Sequence, residues 1–198
     1  MIVGLTGPSG AGKSEAAGVF ERHGFSAIDA DGVAHLIYRT NRGCVQKLQR
    51  TFGYQVAPGG QVDRKVLAGI VFSSPDALQR LNELMFPYIT EQILIQIRMS
   101  KKDDILLDAP LLFESGLSKI CQHSVGVLAP YFVRKDRIVR RDQLNEKAAD
   151  KRLRAQPDDS YYKERCDVII WNDGTRQQLE DQICRFLSSI LSERRNCE

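Results

Sequence analysis

Short apolar runs alternate with longer stretches of helical periodicity along this chain. Residues 1–6 (Met-Ile-Val-Gly-Leu-Thr) are too short and too continuously apolar for an amphipathic helix, and predict a buried strand. Residues 14–23 follow with Ala16, Ala17, Val19 and Phe20, a helical composition ended by Gly24. A second strand begins at residues 25–28 and runs into Asp29-Ala30-Asp31. Further apolar runs predict strands at residues 103–108, 123–129 and 167–171, and a closing amphipathic helix over residues 175–191 carries Leu179, Ile183, Phe186, Leu187 and Ile190. Strands separated by helices predict an α/β protein with a parallel sheet.

Between the second and third strands the pattern changes. Residues 32–103 contain no strand signal. A helix starts at Gly32, and a short amphipathic one covers residues 45–52. Residues 53–60 form a turn-rich loop, and Asp63 caps a further helix. Ser74-Pro75-Asp76 opens another helix, which Pro87 is expected to end. Residues 88–99 then form a separate one with Ile89, Ile93, Leu94 and Ile97 at helical spacing. This stretch predicts a helical module on the acceptor-substrate side, where Arg64 and Lys65 are available to meet phosphates. A solvated helix face is the plainer alternative for both.

The sharpest chemical signal lies between the first strand and the first helix. Gly7-Pro8-Ser9-Gly10-Ala11-Gly12-Lys13-Ser14 satisfies G-x-x-x-x-G-K-[ST] without a mismatch, in the strand–turn–helix context that a phosphate-binding loop requires. The glycines let backbone N–H groups converge on phosphate oxygens, and the helix N-terminus adds its positive end. Lys13 supplies a point charge for the β- and γ-phosphates, and Ser14 a hydroxyl for Mg²⁺. Asp29 and Asp31 stand at the C-terminal end of a strand, the edge where open α/β sheets bind ligands. One of them is placed to accept a proton from an attacking hydroxyl or to orient a metal-bound water; a helix cap is the competing role. Asp108, ending the third apolar strand, is the second candidate for organising Mg²⁺, against a turn role before Pro110. Residues 134–156 are dense in arginine and predict a helical hairpin with the form of a lid. Arg134, Arg137 and Arg141 share one face by spacing. Arg141 is expected to act on the triphosphate, and Arg134, Lys151 and Arg154 to belong to a solvated surface. Asn172, in the turn after the last strand, is expected to line the adenine pocket.

Composition narrows the partners. A net charge of +3 suits polyanionic small molecules and is too weak to argue for nucleic acid. The five cysteines, Cys44, Cys121, Cys166, Cys184 and Cys197, form no C-x-x-C pair, which favours reduced thiols in a cytoplasmic protein over a metal site or disulfides. Neither a membrane span nor a signal peptide is expected.

Taken together, these segments resemble the dephospho-coenzyme A kinase family over almost the whole chain. The likeness is carried by Val3-Gly4-Leu5-Thr6-Gly7, by Ile28-Asp29-Ala30-Asp31 with Ala34, and by Asp63-Arg64 with Leu67 and Val71-Phe72. Pro110-Leu111-Leu112-Phe113-Glu114 continues it, followed by Arg137, Arg141, Ala148, Arg152, Gln156 and Lys163 and by Asp167-Val168-Ile169 with Asn172 and Gly174. Phe86 departs from the family, which usually has His before this proline. The resemblance implies a P-loop kinase three-layer fold with a five-stranded parallel sheet, in one domain spanning residues 1–198. It places a helical acceptor-side insert at about 32–103 and a lid at about 134–156. It implies transfer of the ATP γ-phosphoryl to the ribose 3′-hydroxyl of dephospho-coenzyme A, with Mg²⁺. Asp31 is then the base, Lys13 and Ser14 the phosphate and Mg²⁺ ligands, and Arg141 the lid arginine. The expected partners are the two small-molecule substrates, with the protein a monomer or weak homo-oligomer. A nucleoside monophosphate kinase is the alternative within the class, and a nucleotide-dependent switch the alternative outside it.

Overall fold

A computed structural model describes the backbone of residues 1–196 and the side chains of residues 1–192; Cys197 lies outside the described residues. Internal contacts divide the chain into two compact units, residues 1–27 with 101–198, and residues 28–100.

The first unit is built on a parallel sheet. Its strands are β1 (Ile2–Thr6), β2 (Ser26–Asp29), β3 (Ile105–Asp108), β4 (His123–Leu128) and β5 (Val168–Trp171), in the order β2-β3-β1-β4-β5. β2 carries the chain on into the second unit. Central position explains the sequence of β1: it pairs with β3 on one side and β4 on the other, and Val3 and Leu5 are fully buried. A parallel strand covered on both faces needs a continuous apolar run rather than alternation. Helices α1 (Lys13–Arg22) and α9 (Arg176–Asn196) bury Val19, Phe20, Leu179, Ile183, Phe186 and Leu187 against Val3, Leu106, Val125 and Ile170. Phe20 meets Phe25 and Phe186 edge-on, with ring centroids 5.4 Å and 6.2 Å away. Each such fully buried side chain contributes about 2 kcal/mol by removal from water.

The register sets the position of the site. Leu5 pairs with Asp108, Thr6 with Gly126, and Leu128 with Trp171. The strands are parallel, so Gly7, Asp108 and Asn172 leave the sheet on the same C-terminal edge, where ligands bind in open α/β sheets.

After β4 come α6 (Tyr131–Asp142) and α7 (Glu146–Arg154), the expected hairpin, with Asn145 capping α7 through Ala148 N–H. Ile138, Ala149 and Leu153 form its small core, and Lys135 ties the two helices through Glu146 and Asp150. A short helix that the periodicity did not predict, α8 (Asp159–Lys163), follows under an Asp158 cap. Five residues are too few to show a 3.6-residue repeat.

The second unit is helical, as expected: α2 (Ala30–Thr40), α3 (Arg42–Phe52), α4 (Arg64–Val71) and α5 (Pro75–Met99). Asp29, Asn41, Asp63 and Ser74 cap them in turn, each accepting a backbone N–H one or two residues into its helix. Val33, Ile37, Val45, Leu48, Leu67, Val71, Met85 and Ile93 are buried. One expectation is overturned here: α5 runs unbroken through Pro87. Proline removes one helical hydrogen bond and costs about 3 kcal/mol. Met85 before it and Ile93 after it are both buried, and α5 packs on α2, α3 and α4, which offsets that cost.

Candidate active site

The loop between β1 and α1 is held in one shape by its glycines. Gly7 has φ 147°, and a side chain there would strike the Val127 carbonyl of β4. Gly12, the N-cap of α1, has φ 95°, and a side chain there would strike the Asn172 amide. Only glycine accepts both the left-handed conformation and the close approach. Ala11 N–H donates to the Pro8 carbonyl (3.2 Å), and the N–H groups of Glu15 and Ala16 donate to the Gly12 carbonyl (3.1 Å each). These bonds close the turn into the first turn of the helix.

Two side chains predicted for phosphate and metal are adjacent. Lys13 Nζ lies 2.8 Å from Asp108 Oδ1, and both side chains are about one-sixth exposed. The cation is thus held at the sheet edge by the carboxylate that ends β3. Ser14 is solvent-exposed in the first turn of α1.

The arginines expected to share one lid face have three separate partners. Arg141 forks onto Asp142, with Nε to Oδ1 at 2.8 Å and Nη2 to Oδ2 at 2.9 Å, and Arg152 donates to the same carboxylate at 2.7 Å. The Arg141 guanidinium, hydrogen-bonded to Asp142, holds that carboxyl below its ordinary range. Arg141 remains more than half exposed and can exchange partners with a ligand phosphate at little cost. Arg137 turns inward: Nη1 donates to the Gly10 and Ala11 carbonyls (3.2 and 3.3 Å) and Nη2 to the Asn172 carbonyl (3.1 Å).

Arg134 corrects the expectation of a solvated surface: it is 7% exposed, with Nη2 3.6 Å from Asp159 of α8. Its Nε and Nη1 have no hydrogen-bond partner. The unpredicted helix α8 supplies that carboxylate. Arg134→Ala is expected to destabilise the fold by about 2 kcal/mol, since it removes one member of a partly buried pair. Melting should fall by roughly 4–8 °C, with turnover at 25 °C retained. Arg134→Met keeps the volume without burying unpaired donors and should melt close to the parent. Thermal denaturation of both variants checks this.

Asn172, which the sequence places at the adenine pocket, is 3% exposed, with its side-chain Nδ2 donating to the Ala11 carbonyl at 2.9 Å and its backbone N–H to the Leu128 carbonyl at 2.7 Å. Its side chain therefore serves the phosphate loop. Gln156, which no spacing marks for the site, bonds the loop twice: Ser9 N–H donates to its Oε1 and its Nε2 donates to Ser9 Oγ, both at 3.0 Å. Its place after an arginine-rich helix gives no signal of this; only the resemblance marks Gln156. The Pro110–Glu114 segment has a structural use. Leu112 is fully buried, Phe113 meets the Tyr161 ring edge-on at 6.3 Å, and burial together with the hydrogen-bonded Glu114 carboxylate pushes the Tyr161 phenol well up.

In the second unit, Asp29 Oδ1 accepts the Asp31 N–H at 3.0 Å, so Asp29 is the cap of α2. Asp31 lies in the first turn and lines a cleft of about 610 Å³ with His35 and Tyr38 of α2, Arg64, Lys65, Leu67 and Val71 of α4, and Phe72, which caps the end of α4. Burial pushes the Tyr38 phenol up to about 12. The cleft has a charged part (Asp31, Arg64, Lys65) and an apolar part (Leu67, Val71, Phe72, Leu81).

A glycine-rich loop with its lysine on the carboxylate of a neighbouring strand, on a parallel sheet followed by an arginine-rich hairpin, defines a P-loop kinase. The family model for dephospho-CoA kinase matches residues 1–178, and the chain belongs to that family. A dephospho-CoA kinase of Arabidopsis thaliana is 36% identical over 193 residues, covering 96% of this chain and 83% of the relative. Among solved structures, TT1252 of Thermus thermophilus is 30% identical with a TM-score of 0.80, over 98% of this chain and 97% of that one. Dephospho-CoA kinase from Campylobacter jejuni is 27% identical with a TM-score of 0.68, over 96% of each chain. The protein is accordingly a transferase, a nucleotide-binding kinase of coenzyme A biosynthesis.

Proposed function

We propose that the protein transfers the γ-phosphoryl group of ATP to the ribose 3′-hydroxyl of dephospho-coenzyme A. The observation that carries this reading is the Gly7–Ser14 loop with Lys13 Nζ beside Asp108, in a chain that matches the family along most of its length. The loop of residues 7–14 cradles the triphosphate through the N–H groups that its own turn leaves unused, and Lys13 moves from Asp108 toward the β/γ-phosphate oxygens. Arg141 leaves Asp142 to close over the transferring group. Such electrostatic positioning supplies most of the catalysis in phosphoryl transfer.

The second unit, residues 28–100, is the acceptor-side module, and α6 with α7 forms the lid. In the cleft of the acceptor module, Asp31 takes the proton of the attacking hydroxyl, Arg64 and Lys65 meet the pyrophosphate, and the apolar part receives the pantetheine arm. The Ser14 hydroxyl and the Asp108 carboxylate are hard oxygen donors. They suit a cation that takes one or two protein ligands and fills its octahedron with phosphate oxygens and water, as Mg²⁺ does. When bound, Mg²⁺ would neutralise charge on the phosphate oxygens, with Ser14 and Asp108 as the residues that would hold it. We place the protein in the cytoplasm, as a monomer or weak homo-oligomer acting on small molecules; among the described residues no helix is long and apolar enough to cross a membrane.

The test is ADP release measured with and without dephospho-coenzyme A. Release dependent on that acceptor, and not on a panel of nucleoside monophosphates, is the expected result. Turnover with a monophosphate instead makes the protein a nucleoside monophosphate kinase. Hydrolysis indifferent to every acceptor makes it a nucleotide-dependent switch.

A further inference from the structure

The outer side of the phosphate loop is occupied by a polar brace. Gly10 lies against the backbone of α6, where a side chain on it would come within 2.7 Å of the Arg134 carbonyl. One turn further along α6, the Arg137 guanidinium reaches the carbonyls of Gly10, Ala11 and Asn172 together. Asn172 Nδ2 donates to the same Ala11 carbonyl, and the Asn172 backbone N–H is fixed on Leu128 of β4. Two loop carbonyls are therefore pinned by donors from two other elements. A peptide plane held by its carbonyl has its N–H directed to the opposite side. The Gly12 N–H shares its peptide plane with the pinned Ala11 carbonyl, and the Ala11 N–H, in the plane of the pinned Gly10 carbonyl, closes the turn onto the Pro8 carbonyl at 3.2 Å.

We propose that Arg137 and Asn172 are positioning residues for nucleotide binding. By holding the carbonyls of Gly10 and Ala11, they fix the turn that the Ala11 N–H closes on Pro8 and set the direction of the Gly12 N–H offered to phosphate. This rests on the nucleotide site proposed above. It assigns the arginine to the loop backbone rather than to the base or to the phosphates. The planar fork is essential to the task, because one guanidinium must address three carbonyls; an ammonium of equal charge lacks that geometry.

The test is calorimetric binding of ATP and of inorganic tripolyphosphate to the parent, Arg137→Lys, Asn172→Ser and the double variant, with circular dichroism and melting to verify the fold. Each single variant is expected to weaken both ligands by a similar factor of about 10, the size of one or two lost hydrogen bonds. The double variant should be little worse than the weaker single one, since both act on the same peptide. KM for ATP should rise while KM for dephospho-coenzyme A stays. If ATP weakens and tripolyphosphate does not, Arg137 contacts the base and the proposal falls. If Arg137→Lys weakens both ligands while a folded Asn172→Ser binds like the parent, the arginine acts directly on phosphate and the proposal also falls. Should Asn172→Ser fail to fold, Arg137→Lys decides alone: unchanged tripolyphosphate affinity overturns the brace. A parent that binds neither ATP nor tripolyphosphate removes the nucleotide site itself, a failure distinct from parent-like variants of a protein that binds both.

Discussion

Lys13→Ala is expected to lower the rate of phosphoryl transfer by about 10²–10³-fold, the range for loss of one positioned electrostatic group in a water-poor site. The fold should survive. Lys13 Nζ is paired at the rim of the sheet, where Asp108 keeps access to solvent, so its carboxylate is not left as a buried charge. The charge is not replaceable by the loop, whose N–H groups carry only partial charge. Steady-state transfer at saturating ATP, alongside a thermal melt, separates chemistry from folding. Near-parental turnover in a folded variant would contradict the assignment of the loop as the phosphate site.

The other large effect is expected at Asp31. Asp31→Asn should slow transfer to dephospho-coenzyme A by about 10²-fold or more, within the range of positioned acid–base groups, while ATP affinity changes little. The structure separates this carboxylate from its neighbour. Asp29 already serves as the cap of α2 through the Asp31 N–H, whereas Asp31 lines the charged part of the cleft in the second unit. Asparagine caps a helix about as well as aspartate, so Asp29→Asn should be close to the parent in both stability and rate. Single-turnover transfer together with an ATP titration distinguishes the cases. A dead Asp29→Asn beside an active Asp31→Asn reverses the two roles, and two silent variants leave the pair as a cap only.

Much of this protein is set locally, and its sequence is sufficient there. The glycines at positions 7 and 12 are required by left-handed φ values and by contacts with no room for a side chain. The pattern G-x-x-x-x-G-K-S is thus a direct record of backbone geometry. The strands β1, β3, β4 and β5 are apolar runs because both faces of a parallel sheet are covered, and Asp63 and Ser74 mark helix starts because each satisfies orphan N–H groups within its own first turn. These signals span a few residues. Family resemblance added the reaction, which no periodicity contains.

Only tertiary structure decided the rest. Pro87 is a helix breaker by local rules, yet burial of Met85 and Ile93 on either side carries α5 through it. The arginines 134, 137 and 141 are equivalent by spacing, but packing gives one to Asp159 under α8, one to the phosphate loop and one to Asp142 at the surface. The bonds of Arg137, Gln156 and Asn172 to the loop cross 126 to 161 residues of chain. A hydrogen bond of that span leaves no periodic trace in the sequence, because its partners are brought together by the order β2-β3-β1-β4-β5, a property of the folded sheet and of no single segment.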